Sequence, residues 1–455
     1  MRNLKSKYSC VFTLVMFCLF SIAGQSAQAV DPRFDEYLNA TVRLGRFNGY
    51  VLVAKDGKVV FSKGYGMANF EEDISNTPQT KFRLASITKS FTAMAVMMLQ
   101  EKGKLNLPDS ICKYLTACPE AWKPITLRHL LNHTSGIPDY AAMPDFMGTI
   151  SLRLTNDELI ARFKGKPLLF APDEQFAYSN SNYILLGRII ENVSGQPYAA
   201  FIQENIFAPL SMKNSGSDDN STLIKHRAIG YIKQPDRLIN ARYMEMTNAY
   251  SAGALYSTAE DVLLWNQALD SEKLLSKKSL DEIFTPGKGG VGYGWFINRD
   301  AHRLLITQSG LNSGFAAQIF RYPEEKVCLI LLNNFENAAP HLARVGHDLA
   351  AILFGEPYEL PRERVAVKVA PKIYDAYVGE YEFGPKRMIT ITKEGDKLFA
   401  QRSGAPKNEI FPESETTFFL MVADVQLVFL KDDAGKVSGM ILHANGQEMK
   451  GSKAK

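Results

Sequence analysis

From Ile87 to Leu99 the chain carries apolar side chains at 87, 91 and every position from 93 to 99, and the run stops at Gly103. A helix that is apolar nearly all round belongs inside a molecule, so the rest of the chain has to pack around this segment. Ser86 sits at or just inside its N-terminus and Lys89 three residues on, which puts both on one face of the first turn. A lysine among apolar side chains is costly to keep charged, which favours it as a proton acceptor for a neighbouring hydroxyl. The helix start adds backbone donors and a positive partial charge suited to an oxyanion. The same spacing occurs at Ser110/Lys113 and Ser452/Lys455, so a capping serine beside a solvated lysine is the competing reading until other residues are considered.

The 455 residues, 46% hydrophobic and 22% charged, suffice for a large core and two or more domains. Residues 1–29 stand apart. Arg2, Lys5 and Lys7 precede an apolar run from Val11 to Ala23 and then Ala27-Gln28-Ala29, the pattern of a secretory signal peptide cleaved after Ala29. Export to the periplasm or medium is the expectation, with no stable membrane span after cleavage. Removing this leader takes the formal net charge from +4 to +1, which excludes a nucleic-acid footprint. Cys112, Cys118 and Cys328 remain. The first two can bridge in an oxidising compartment, the third lies in an apolar strand, and three cysteines without histidine spacing make no metal site.

Residues 31–46 read as an amphipathic helix. Tyr50–Lys55 and Lys58–Ser62 read as a hairpin joined by Asp56-Gly57. Matching strands come much later, at 304–308, 315–322 and 326–333, followed by a helix over 338–354, while residues 86–285 are mostly helical patterns and loops. The expected fold is α+β: an antiparallel sheet built from both ends of the domain, flanked by helices, with a mostly helical region inserted and the site at their junction. After a Pro-rich, charged linker at 356–371, residues 372–455 alternate apolar and polar with turns at Glu394-Gly395-Asp396, 432–435 and Asn445-Gly446, the pattern of a small all-β barrel. The expected domains are thus the leader 1–29, a main domain 30–355, the linker and the barrel.

Downstream of the serine, Tyr178-Ser179-Asn180 leads into a buried helix, where a phenol and an amide can enter one cleft as proton shuttle and carbonyl donor. Tyr37-Leu38-Asn39 shows the same spacing on a surface helix, so the pattern alone is weak. Thr307-Gln308-Ser309-Gly310-Leu311 closes a strand, with Gly310 allowing close approach of a substrate backbone and the Leu311 amide as a second oxyanion donor.

In this order, Ser86-Ile87-Thr88-Lys89, Tyr178-Ser179-Asn180 and a strand triplet ending in Ser309-Gly310 resemble the three motifs of the serine β-lactamase and penicillin-binding protein superfamily, in its class C-like branch. The stretches 126–137, 252–261 and Gly292-Tyr293-Gly294-Trp295 resemble further signatures of that family, and the C-terminal unit resembles a lipocalin-like barrel. The resemblance implies a serine hydrolase working through an acyl-enzyme on an ester, an amide or a D-amino-acid peptide, cell-wall fragments included, without a cofactor. It makes Ser86 the nucleophile, Lys89 its proton partner, Tyr178 the base or relay and Asn180 a substrate-carbonyl ligand, with Gln308, Ser309, Gly310 and Leu311 lining the substrate. It also makes the segment around His133 a structural turn.

The third motif usually opens with lysine or histidine, and here it opens with Gln308. A neutral amide lacks the charge-assisted grip of lysine on a substrate carboxylate, which favours esters and uncharged amides. A Gly-x-Ser-x-Gly elbow, a His-Glu-x-x-His zinc motif and a phosphate-binding loop are absent from the sequence. The alternative left open is a penicillin-binding sensor or cell-wall binding protein, acylated slowly or not at all.

Overall fold

A computed structural model describes residues 31–454 apart from 235–236, 301, 385–386, 422–423 and 445–446. The expected signal peptide and its cleavage point, and the turn at Asn445-Gly446, lie outside the described residues. Asp31–Lys455 form one compact unit.

Helix α1 (Pro32–Arg43) starts where Asp31 accepts the Arg33 N–H and Pro32 presets the first turn. It is followed by β1 (Gly49–Lys55) and β2 (Lys58–Tyr65). Asp56 and Gly57 both have positive φ, +50° and +73°, as a two-residue hairpin of this twist requires. Helix α2 (Thr88–Glu101) and helix α3 (Asn180–Ser194) form the centre of the inserted region. The chain then returns to the sheet through β3 (Phe296–Asp300), β4 (Arg303–Asn312), β5 (Phe315–Tyr322) and β6 (Val327–Asn333), and closes with α4 (Ala339–Phe354). The sheet order is β3-β4-β5-β6-β1-β2, so the first strand pairs with the last, Leu52 opposite Ile330.

Both faces of this sheet are covered, which is why β1 reads as an unbroken apolar run rather than alternating. Val51 and Val53 pack with Phe34 and Leu38 of α1 and Leu342 and Leu349 of α4. Leu52 and Ala54 join the larger core around α2, whose Phe91 stacks on Trp265 at 4.2 Å. All residues of α2 from Thr88 to Leu99 are buried, as its composition demands.

Two differences from the sequence reading have physical causes. Strand β3 was not expected because its outer half is polar and exposed, Asn298 and Arg299 carrying no alternation. The inserted region also holds short strands: Phe82–Arg83, Leu255–Ser257 and Gly216–Ser217 make one small sheet, and Tyr231–Lys233 with Leu238–Asn240 another, each too short for a period to show.

The C-terminal part is a closed eight-stranded barrel, β7 to β14, running from Gly379–Glu382 to Gln447–Lys453, with Tyr381 of the first strand opposite Lys453 of the last. Tyr377, Tyr381, Phe418 and Phe429 fill its interior, Tyr377 stacking on Phe429 at 4.2 Å. The stretch before it is fastened to the barrel by Val367, whose N–H reaches the Pro412 carbonyl at 2.8 Å, and by Arg364 on Glu413 at 2.9 Å.

Cys112 and Cys118 are joined, their Cα atoms 5.3 Å apart, and Cys328 is a buried thiol whose pKa is pushed up to about 12 by burial. Thiol titration of the unfolded, unreduced chain from Asp31 onward should therefore detect Cys328 alone; three reactive thiols would show that the pair is not bridged.

Candidate active site

The serine turn is held in an unusual backbone. Ala85 has φ +47°, in the left-handed region that disfavours a side chain by roughly 1–2 kcal/mol, and Ser86 follows within a 3-10 turn, Ala85–Ile87, that runs directly into α2. Strand β4 presses on this turn. A Cβ on Gly310 would lie 2.2 Å from the Leu84 carbonyl oxygen and 2.9 Å from the Ser86 nitrogen. The glycine is thus needed for the close approach of the protein's own Ser86 turn, a reason besides the expected approach of a substrate backbone.

Lys89 is fully buried, and its Nζ donates to Ser86 Oγ, Asn180 Oδ1 and the Ala252 carbonyl, each at 2.9 Å. Three oxygens thus meet the three N–H groups of an ammonium, and the faces of Tyr178 and Tyr183 lie 5.1 and 5.7 Å from the nitrogen. The apolar neighbours of Lys89 in sequence had pointed to a dry seat; the acceptors come from α3 and from residue 252, far along the chain.

Tyr178 donates to Ser86 Oγ at 3.1 Å. With Lys89 and Tyr178 both donating, the two lone pairs of Oγ are occupied and its own proton points elsewhere. His133 is stacked against Tyr178, ring centroids 4.5 Å apart, and its Nδ1 accepts the Ser179 N–H at 3.1 Å. Burial first, and the Lys89 charge second, lower the His133 pKa to about 3. It is a neutral support under the tyrosine.

Asn180 is held from both ends. Its Oδ1 accepts from Lys89, and its Nδ2 donates to both carboxylate oxygens of Asp139, at 3.2 and 3.1 Å. Both ends of the amide thereby have partners within the protein. Gln308 is likewise engaged. Its Nε2 donates to the Ser86 carbonyl at 2.9 Å, which fixes the amide orientation because that carbonyl can only accept, and its Oε1 is buried without a partner. The residue is 2% exposed and braces the serine turn. By strand alternation Ser309 and Leu311 face away from Gln308 and Gly310, and both are exposed. Strand β3 pairs with β4 only as far as Thr307, so the outer edge of Gln308–Asn312 has no strand partner among the described residues.

Asp139 and the Ala252 carbonyl went unnoticed in the sequence. Asp139 lies just beyond the family-like stretch that ends at Ile137, and a backbone carbonyl leaves no side-chain signal. Among the described residues, no group of three or more His, Cys, Asp or Glu is placed to hold a metal ion.

Residues 31–352 match the family described as Beta-lactamase, and residues 363–453 match a domain of unknown function, DUF3471. The chain is 33% identical over 431 residues to penicillin-binding protein 4* of Bacillus subtilis, covering 89% of this chain and 94% of that protein. Among solved structures, the octameric penicillin-binding protein homologue from Pyrococcus abyssi is 27% identical with a TM-score of 0.66, covering 92% of this chain and 99% of that one. The D-amino acid amidase from Ochrobactrum anthropi SV3 is 26% identical with a TM-score of 0.62, covering 70% and 98%.

The depressed His133 pKa ties stability to pH. An unfolded chain takes up a proton near pH 6.5 that the folded one refuses until about pH 3, so stability is full above 6.5 and is lost as pH falls through that window. Between pH 7 and pH 5 the loss from this one group is about 2 kcal/mol. In urea titrations His133→Asn, whose side chain tolerates the +60° φ, should show a correspondingly shallower fall, and an unchanged slope would contradict the assignment.

Proposed function

The chain belongs to the beta-lactamase family, and on that footing we propose that it is an exported serine hydrolase of the class C-like type, forming an acyl-enzyme at Ser86 on uncharged esters or amides. In the form of the site in which the Lys89–Tyr178 pair has given one proton to solvent, the free amine or phenolate, 2.9 or 3.1 Å from Ser86 Oγ, takes the serine proton as Oγ attacks the substrate carbonyl carbon. The pair returns a proton to the leaving oxygen or nitrogen as the bond from carbon breaks. Water then repeats the sequence on the acyl-serine. The amides of Ser86 and Leu311 hold the oxyanion, a role supported by the close approach of β4 to the serine turn, where a Cβ on Gly310 would lie 2.9 Å from the Ser86 nitrogen. The free edge of Gln308–Asn312 supports binding of an extended, peptide-like substrate alongside β4.

The substrate preference rests on one observation: Gln308, neutral, buried and already donating to Ser86, occupies the position where a cation would read a carboxylate. Its unused Oε1 favours a substrate N–H over a carboxylate. Amides of D-amino acids, the class named for the Ochrobactrum relative, fit this demand. The Cys112–Cys118 bridge supports export with residues 1–29 removed. The barrel, expected as a separate domain over 372–455 behind the linker 356–371, is proposed to leave the chemistry to residues 30–355.

Incubation with a fluorophosphonate or a penicillin followed by mass spectrometry should place a single adduct on Ser86. Ser86→Ala should abolish ester hydrolysis while Ser110→Ala retains it. Absence of both adduct and turnover would replace the hydrolase with the sensor reading. Gln308→Lys should raise kcat/KM for carboxylate-bearing acyl donors relative to uncharged p-nitrophenyl esters by roughly fivefold to tenfold, the scale of a charged against a neutral hydrogen bond. An unchanged ratio in a folded, active variant would remove Gln308 from substrate selection.

A further inference from the structure

We infer that Asp139 is a positioning residue of the hydrolytic site, acting through Asn180 to keep an acceptor on the Lys89 ammonium; this rests on the Ser86 acyl-enzyme reading above. The case begins with an ambiguity that every asparagine carries. Its amide presents an oxygen and an NH2 of nearly equal shape, and nothing in Asn180 itself decides which end faces Lys89. The choice matters because Lys89 has no exposed surface, so an N–H without an acceptor has no water to turn to. A reversed Asn180 would set an NH2 against an ammonium. One of the three bonds that hold Nζ beside Ser86 Oγ would be lost, and the lysine would be free to shift off the serine.

Asp139 removes the ambiguity. An ionised carboxylate only accepts, and this one accepts the Asn180 backbone N–H at 3.1 Å, the Asn180 Nδ2 on both oxygens, and the Ala141 N–H at 3.1 Å. With the NH2 drawn to Asp139, Oδ1 is left facing Lys89, and the charges alternate along carboxylate, amide and ammonium. The carboxylate is itself fixed in place. Its neighbour Tyr140 donates its N–H to Ser181 Oγ at 3.0 Å, and that hydroxyl donates to the Pro138 carbonyl at 2.7 Å, so the 138–140 loop is sewn to the first turn of α3. Asp139 makes its hydrogen bonds to Asn180 and Ala141 and reaches Lys89 only through Asn180, which is why its role is positional.

The experiment is the rate of Ser86 labelling by a fluorophosphonate in wild type, Asp139→Asn, Asn180→Ala and the double variant, with melting temperatures recorded for each. Asp139→Asn is isosteric and keeps an oxygen for the Ala141 N–H, but it no longer dictates which way Asn180 turns. Labelling should slow by about tenfold to a hundredfold, the scale of one hydrogen bond to a charged group. In the Asn180→Ala background the same substitution should slow labelling by less than about twofold, because the group it acts through is gone. A loss in the double variant equal to the product of the single losses would show a merely structural role and overturn the inference, as would wild-type labelling by Asp139→Asn. Failure of the wild type itself to label at Ser86 would overturn the acyl-enzyme reading and this inference with it.

Discussion

The arrangement depends on burying one ammonium inside a helix that is otherwise core. Lys89 lies in α2 among Phe91, Met94 and Met97, all buried, and a charge there is tolerable only if every N–H finds an oxygen. Those oxygens are Ser86 Oγ from its own helix start, Asn180 Oδ1 from α3 and the Ala252 carbonyl from the short helix Tyr250–Gly253. Satisfying the lysine therefore fixes three segments, Asn180 lying 91 residues and Ala252 163 residues beyond Lys89 in the chain. The geometry that prepares the serine and the packing that stabilises the inserted region are the same set of contacts.

A second constraint acts on the serine from the sheet side. The left-handed Ala85 turns the chain sharply enough to lift Ser86 out of the helix, and Gly310 lets β4 come within van der Waals reach of that turn. A residue with a side chain at 310 would push the strand away from the nucleophile, since the atoms it meets are backbone and cannot swing aside. The strained residue is thus held by packing on both sides, which is how such conformations persist at sites of chemistry.

Much of this was legible in the sequence because the relevant signals are local. The all-round apolar run announced a buried helix, Asp56-Gly57 announced its hairpin, and the alternation beyond residue 372 announced strands that close into the barrel. Ser86, Lys89 and Tyr178 were found through spacing and order, and they do converge. What stayed hidden was how polar groups pair across distance. Asn180 and Gln308 suit a substrate by their side chains, and the fold also gives their N–H groups acceptors within the protein, Asp139 and the Ser86 carbonyl, which no spacing shows. A sequence shows which donors exist, and only the fold shows which acceptors reach them.

The Gln308 brace has a consequence for how selectivity can change in this scaffold. Its Nε2 holds the Ser86 carbonyl, so the side chain at 308 helps set the serine turn. A longer cation placed there keeps a donor for that carbonyl only by bending back toward it, and reaching out to a substrate acid would surrender the bond. Gain of carboxylate recognition and loss of turn stability are therefore coupled through one side chain. Because Gly310 and Ala85 already hold that turn with little room to relax, on the proposed acyl-enzyme reading the coupling weighs on the rate of attack at Ser86 more than on substrate binding.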